Sequence, residues 1–115
     1  MILDIDDVVL VSNRRMFPQD EARHFLGRII ARDGELVKVQ GYSYVRDLST
    51  GHVVKKTEKR IKVLSLASAG FIVYQLPAEL NPETASIESG NGDAILVDGR
   101  RQIMNLSERT HCGHF

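Results

Sequence analysis

Short apolar runs recur along this chain, and turn-forming residues separate them. Valine, isoleucine and leucine dominate the runs, and tryptophan is absent. Aliphatic and β-branched residues in short, bounded runs favour strands over helices. The separating segments include Asp33-Gly34, Ser49-Thr50-Gly51 and Ser68-Ala69-Gly70, which are typical turn sequences. The pattern therefore predicts an all-β protein.

Seven or eight short strands are predicted in the 115 residues. Val8-Val9-Leu10-Val11 is apolar at consecutive positions, which is typical of a strand buried on both faces. Asp98-Gly99 predicts a C-terminal hairpin. The number of strands favours a small antiparallel barrel or roll. The predicted strands cover residues 7–13, 23–31, 35–47, 53–56, 60–66, 70–76, 94–97 and 102–106.

One segment departs from the strand pattern. Residues 77–84 are the best candidate for a helix, which Pro82 limits to one or two turns. Ser89-Gly90-Asn91-Gly92 predicts a flexible turn. Because no repeat or long linker divides the chain, we expect a single β domain over residues 1–110 and a flexible tail over residues 111–115.

The hairpin around Asp33-Gly34 decides which side chains share a face, because a slip of one residue moves every side chain to the other face. A three-residue loop over residues 32–34, with its glycine left-handed, would place Ile29 opposite Val37 on an apolar core face. A two-residue loop would mix charge into that face. The three-residue loop is therefore the predicted turn.

The same register predicts a second, exposed face that mixes apolar, aromatic and basic side chains. It places Ile30 opposite Leu36, and it places Arg28 opposite Lys38, where like charges repel across the strand pair. An anion or an acidic segment would relieve that repulsion. The candidate binding residues belong to this face and to the basic cluster that follows it. They are Leu26, Arg28, Ile30, Leu36, Lys38, Tyr42, Tyr44, Arg46, Lys55, Lys56 and Lys62.

The formal net charge of zero conceals three unlike blocks. Residues 23–62 hold ten basic and four acidic residues, whereas residues 1–22 hold two basic and five acidic residues. Residues 63–115 hold three basic and six acidic residues. The basic block can pair with Asp4-Ile5-Asp6-Asp7 of its own chain or of a neighbouring copy. Both arrangements are consistent with the sequence.

Motifs for catalysis and for cofactor binding are missing. The sequence has no Gly-x-Ser-x-Gly elbow, no phosphate-binding Gly-x-x-x-x-Gly-Lys loop and no zincin motif. His111, Cys112 and His114 are of metal-ligand type, but they lack a fourth ligand and a folded support. Asp4 and Asp6 do not have the spacing of a calcium loop. We therefore expect a protein that is not an enzyme and has no cofactor or metal.

The sequence also predicts the compartment. No segment approaches the roughly 20 apolar residues of a membrane span, and the acidic opening is unlike a secretory signal. The single cysteine has no partner for a disulfide within the chain. We therefore expect a cytoplasmic protein without a membrane partner.

Two functions are consistent with the exposed face. Apolar residues among its cations favour self-association or the docking of another protein. The alternative is binding of single-stranded nucleic acid, with cations on the phosphates and bases stacked on Tyr42 and Tyr44. A net charge of zero counts against long-range attraction of polyanions. We therefore expect a β-barrel module that acts by self-association or protein docking through the exposed face of residues 23–62.

Overall fold

The computed structural model describes residues 3–13, 23–47, 49–50, 52–68, 70–90, 93–99 and 101–106. These residues form nine strands and no helix, so the predicted all-β class is confirmed. The strands are β1 (Val8–Asn13), β2 (Arg23–Asp33), β3 (Leu36–Arg46), β4 (Val53–Lys55), β5 (Arg60–Ser65), β6 (Phe71–Gln75), β7 (Ala85–Gly90), β8 (Asp93–Asp98) and β9 (Arg101–Asn105).

The strands form two antiparallel sheets. The large sheet has six strands in the order β4-β3-β2-β1-β6, and β5 pairs with β3 along the same edge as β4. The small sheet consists of β7, β8 and β9. Within the described residues neither sheet closes on itself. The small antiparallel fold was therefore predicted correctly, but it is a pair of open sheets and not a closed barrel.

The C-terminal part contains one confirmed element and two corrections. The hairpin predicted across Asp98-Gly99 is present as β8 and β9. Residues 77–84 form turns and not the predicted helix. Strand β7 was not predicted, because its sequence Ala-Ser-Ile-Glu-Ser-Gly has a single large apolar residue. It is a strand because all six of its residues pair with β8.

The β2–β3 hairpin turns at Gly34-Glu35, so the predicted three-residue loop is wrong. Asp33 pairs with Leu36 across this two-residue turn. Gly34 has a φ of 58°, which only glycine adopts at little cost. A bulge at Ile30 then shifts the register by one residue. The apolar pattern around the turn contains no signal for this extra residue.

The turn and the bulge together change the cross-strand partners of residues 23–29 but leave these residues on their predicted faces. Ile29 pairs with Val39, which is two residues from its predicted partner. Arg28 lies opposite Gln40 and not opposite Lys38, so the predicted repulsion between two cations is wrong. Because the shift amounts to two residues here, the alternation of faces is preserved.

Both faces of the large sheet bury apolar side chains, which confirms that β1 is covered on both sides. On one face the core consists of Val9, Val11, Phe25, Ile29, Val37 and Val39. The other face packs against the small sheet, in a core of Val8, Leu10, Leu26, Tyr44, Leu76, Leu80, Ala85, Ile87 and Leu96. The small sheet therefore covers part of the face that the sequence predicted to be exposed.

Gly27 and Gly41 lie opposite each other in β2 and β3, where the two backbones approach closely. A Cβ atom on Gly41 would overlap the carbonyl oxygen of Leu26 and lie 2.5 Å from the Gly27 Cα. Backbone atoms cannot move aside as a flexible side chain can. A side chain at this position therefore requires β2 and β3 to separate.

We expect Gly41→Ala to lower the free energy of unfolding by at least about 2 kcal/mol, because the added methyl group overpacks a site bounded by backbone. Gly70→Ala is the matched control. Its Cβ would meet only the Ser68 Oγ, at 3.4 Å, so we expect a change below about 0.5 kcal/mol. Urea denaturation followed by circular dichroism measures both values. Wild-type stability for the Gly41 variant would contradict the close approach.

Candidate functional site

The acidic N-terminal segment lies against its own chain. Ile29 exchanges backbone hydrogen bonds of 2.8 and 2.9 Å with residues 6 and 7. Arg28 and Arg32 donate to backbone carbonyl oxygens of the same segment, at 3.0 and 2.9 Å. Of the two arrangements that the sequence left open, the structure has the intramolecular one. The N-terminal segment therefore packs against the β2–β3 hairpin of the same chain.

Two predicted contact residues are buried. Leu26 and Tyr44 have no exposed surface, so the prediction that they belong to an accessible face is wrong. The Tyr44 hydroxyl donates to the carbonyl oxygen of Ala85 at 2.8 Å, and burial raises the pKa of Tyr44. The cause is the small sheet, which packs over this end of the face. Nothing in the alternation of residues 23–46 indicates that cover.

Lys55 connects β4 to the turn that precedes β7. Its Nζ donates to the carbonyl oxygens of Pro82, Glu83 and Ala85, at 3.1, 3.0 and 2.8 Å. The same atom lies 4.6 Å from the centre of the Tyr42 ring. Burial lowers the pKa of Lys55, and nearby carboxylates oppose that shift. This cation is therefore engaged in contacts within the chain.

Tyr42 is half-buried and engaged in the same region. Its hydroxyl donates to the Glu83 carboxylate, which also forms an ion pair with Lys59. These two hydrogen bonds, that of Lys59 first, lower the pKa of Glu83. Lys55 lies over the Tyr42 ring and Glu83 accepts from its hydroxyl, so Tyr42 is engaged within the chain.

The remaining predicted residues separate into small groups. Leu36, Lys38 and Ile30 are exposed near the β2–β3 turn, as predicted. Arg46 is exposed at the end of β3. Lys56 and Lys62 line a cleft beside β5. The eleven predicted site residues therefore do not form one continuous surface.

An exposed apolar cluster lies on one face of β3 and β5. Leu36, Ile61 and Val63 are exposed by 48, 54 and 61%. Leu36 lies opposite Ser65 and thus diagonal to Val63, and Ile61 lies two residues from Val63, so Val63 is a neighbour of both on this face. We name Leu36, Ile61 and Val63 the β5 patch.

Sequence reasoning missed Ile61 and Val63. In a strand that alternates basic and apolar residues, the apolar ones are expected to face the core. In β5 the opposite holds, because Lys62 pairs with Val39 and therefore lies on its core face. The Lys62 Nζ lies 4.7 Å from the centre of the Phe25 ring. Only the pairing of β5 with β3 reveals this arrangement.

The outer edge of β5 carries backbone groups that no described strand pairs with. The Leu66 amide donates to the Glu35 carbonyl oxygen at 2.7 Å. In an antiparallel ladder the bonded pairs alternate, so the even-numbered residues of β5 bond to β3. The N–H and C=O groups of Ile61 and Val63 therefore point away from the sheet, as does the N–H group of Ser65, whose carbonyl oxygen accepts from the Ser68 amide at 3.1 Å.

Comparison with known proteins finds no matching family model, no matching curated protein and no matching solved structure. Among the described residues, no group of three or more His, Cys, Asp or Glu residues is placed to hold a metal ion. His111, Cys112 and His114 lie outside the described residues. No helix long and apolar enough to cross a membrane occurs in the described part of the chain.

We expect Lys55→Met to lower the free energy of unfolding by about 1–2 kcal/mol, because it removes a charged donor from three carbonyl oxygens but keeps the aliphatic stem. Lys56→Met is the matched control, since Lys56 is exposed and its loss is expected to change stability by less than about 0.5 kcal/mol. Urea denaturation measures both. An equal effect of the two substitutions would show that the Lys55 contacts do not hold the sheets together.

We also expect a histidine-dependent loss of stability in weak acid. The Nδ1 of His24 is hydrogen-bonded to the Ser12 hydroxyl at 2.7 Å. Burial, with a smaller contribution from Arg46, lowers the pKa of His24 below the ordinary value for a histidine. The unfolded chain therefore binds this proton first as the pH falls, so stability is present above about pH 6.5 and declines as the pH falls towards the folded-state pKa.

The measurement compares wild type with His24→Gln by urea denaturation at about pH 7.5 and about pH 5. Between these pH values the free energy of unfolding should fall further in the wild type than in the variant, because only the wild type has His24. Both proteins share every other titrating group, so the difference between them isolates His24. The same pH dependence in both proteins would rule out His24 as its source.

Proposed function

We propose that this protein acts by self-association, with β5 of one copy pairing antiparallel with β5 of a second copy. The observation that carries the proposal is the coincidence of two features on one strand. Ile61 and Val63 are the most exposed large apolar residues of the described strands. The backbone groups of the same residues point outward from the sheet edge. A strand with both features is a template for edge-to-edge pairing.

A two-fold axis fixes how two β5 strands can pair. When the axis is perpendicular to the sheet, side chains that lie opposite each other point to the same face. One residue then lies opposite its own copy, and the pairing is centred on that residue. Centring on Val63 places Val63 opposite its own copy and Lys62 opposite Leu64. Centring on Lys62 would place two ammonium groups opposite each other, which is unfavourable. The charge pattern of β5 therefore favours the pairing centred on Val63.

This pairing joins the β5 patches of the two copies into one apolar strip. The outward backbone groups of Val63 then bond to Val63 of the second copy, and the carbonyl oxygen of Ile61 accepts from the amide of Ser65. The patch is small, and association itself has a large entropic cost. We therefore expect a weak dimer in the micromolar range.

Salt should strengthen this dimer. Arg60 and Lys62 lie on β5 and Lys38 lies on the neighbouring strand, so the two edges that meet are both basic. Salt screens the repulsion between them. Binding of single-stranded nucleic acid, the alternative, would weaken with salt because phosphate contacts release counterions. The stacking contribution of that alternative is reduced, since Tyr44 is buried and Lys55 lies over the Tyr42 ring.

The test is Val63→Glu. Within one copy, the new carboxylate lies opposite Lys38, which is favourable. Across the two-fold axis it lies opposite its own copy, which is unfavourable. Ile72→Glu is the matched control, because Ile72 is an exposed apolar residue on the edge strand β6.

Light scattering and sedimentation equilibrium, each over a micromolar concentration series in low and moderate salt, measure the association. We expect wild type and the Ile72 variant to dimerise, and we expect Val63→Glu to raise the dimer dissociation constant by at least about tenfold. Circular dichroism checks that the variants are folded. A wild type that is monomeric at high micromolar concentration in both salts, or a Val63 variant that dimerises normally, would end the proposal.

A further inference from the structure

A cleft of about 440 Å³ opens beside the face of β5 that carries Arg60 and Lys62. Its wall combines the start of β2, the end of β3 and the segment between β4 and β5. Its charged lining residues are Arg23, Lys56, Arg60, Lys62 and Glu58. Its uncharged lining residues are Asn13, His24, Phe25, Ser43, Tyr44, Val45 and Thr57.

The cations of this cleft exceed the carboxylates that face them. Arg60 forms an ion pair with Glu58 at 3.0 Å, and both side chains are more than half exposed, so this pair is weak. Arg23, Lys56 and Lys62 form no ion pair with any other described residue. The cleft therefore has a positive charge that the described side chains do not balance.

The ammonium group of Lys62 lies over the core. Its Nζ lies 4.7 Å from the centre of the Phe25 ring, and Phe25 is buried. Burial lowers the pKa of Lys62, and the charges of Arg60 and Arg23 lower it further. Cations held together in this way are stabilised when an anion enters between them.

We propose that this cleft binds the phosphate group of a small phosphorylated molecule. Two guanidinium groups offer paired N–H donors that match phosphate oxygens, and Lys62 adds a point charge. The volume lies within the range of small-molecule sites and exceeds that of a phosphate ion. Asn13, Ser43 and Thr57 supply neutral hydrogen-bonding groups for the rest of the molecule.

The chemistry distinguishes this ligand from a nucleic-acid strand. A strand needs cations spaced along a track, whereas these cations converge on one cleft. The cleft is also distinct from the β5 patch, although both use residues of β5. Arg23 and Lys56 are not part of β5, and the β5 patch lies on the other face of that strand.

The test titrates ¹⁵N-labelled protein with inorganic phosphate and then with adenosine 5′-monophosphate, against sodium chloride at matched ionic strength. We expect saturable shifts of amides at the start of β2 and in β5, with tighter binding of the nucleotide. Arg23→Gln combined with Lys62→Gln should weaken binding at least about tenfold. Lys38→Gln combined with Arg101→Gln removes two exposed cations outside the cleft, and it should change binding by less than about twofold.

Three results would overturn the proposal. The first is amide shifts that do not saturate, or that sodium chloride reproduces, because such shifts would come from electrostatic screening and not from binding. The second is equal binding by the two double variants. The third is a single-stranded oligonucleotide that binds the same amides more tightly than the mononucleotide with a steep salt dependence, because it would assign the cleft to nucleic acid. Val63→Glu should leave phosphate binding unchanged, so failure of this site and failure of self-association are separable.

Discussion

The structure depends on how the second face of the large sheet is covered. Leu10 and Leu26 of the large sheet share one apolar core with Leu80 and Leu96 of the C-terminal region. Lys55 adds to this cover, because its ammonium group donates to two carbonyl oxygens of the turn before β7 and to that of Ala85, the first residue of β7. An unpartnered carbonyl group in a packed region is costly. The C-terminal region is therefore held by apolar burial together with charged donors, of which Lys55 makes three of the hydrogen bonds.

The extent of this cover decides what the molecule exposes. The small sheet packs over Leu26 and Tyr44, but it does not cover Leu36 near the β2–β3 turn. The N-terminal segment satisfies Arg28 and Arg32 on the same hairpin. Strand β5 stays exposed, and its two faces differ in character. Apolar residues project on one face and cations on the other, so the strand contributes both to a patch for association and to a cleft for an anion.

The fold class and most strands could be predicted because they depend on local patterns. Turn residues and aliphatic runs located the strands within one or two residues, from β1 to the hairpin of β8 and β9. Strand β7 could not be found in this way, since its pairing with β8 defines it and its composition does not. The bulge at Ile30 was equally invisible, because an extra residue leaves no mark in an apolar pattern.

The candidate site was harder to predict, because exposure depends on packing between distant segments. Alternation places Tyr44 on the face that was predicted to be exposed, yet its hydroxyl donates to the carbonyl oxygen of Ala85. Lys62 is a typical surface residue by sequence, yet it lies over the Phe25 ring. Ile61 and Val63 resemble core residues and are exposed. Each of these assignments follows from a long-range pairing that local alternation does not contain.

The most direct test of self-association through β5 is an isotope-filtered nuclear Overhauser measurement on a mixture of labelled and unlabelled chains. In an antiparallel pairing centred on Val63, Lys62 and Leu64 of the two copies form a pair whose Hα atoms face each other. We predict an intermolecular cross-peak between these two Hα atoms. Intermolecular cross-peaks confined to other strands, at concentrations where the dimer is populated, would contradict the account.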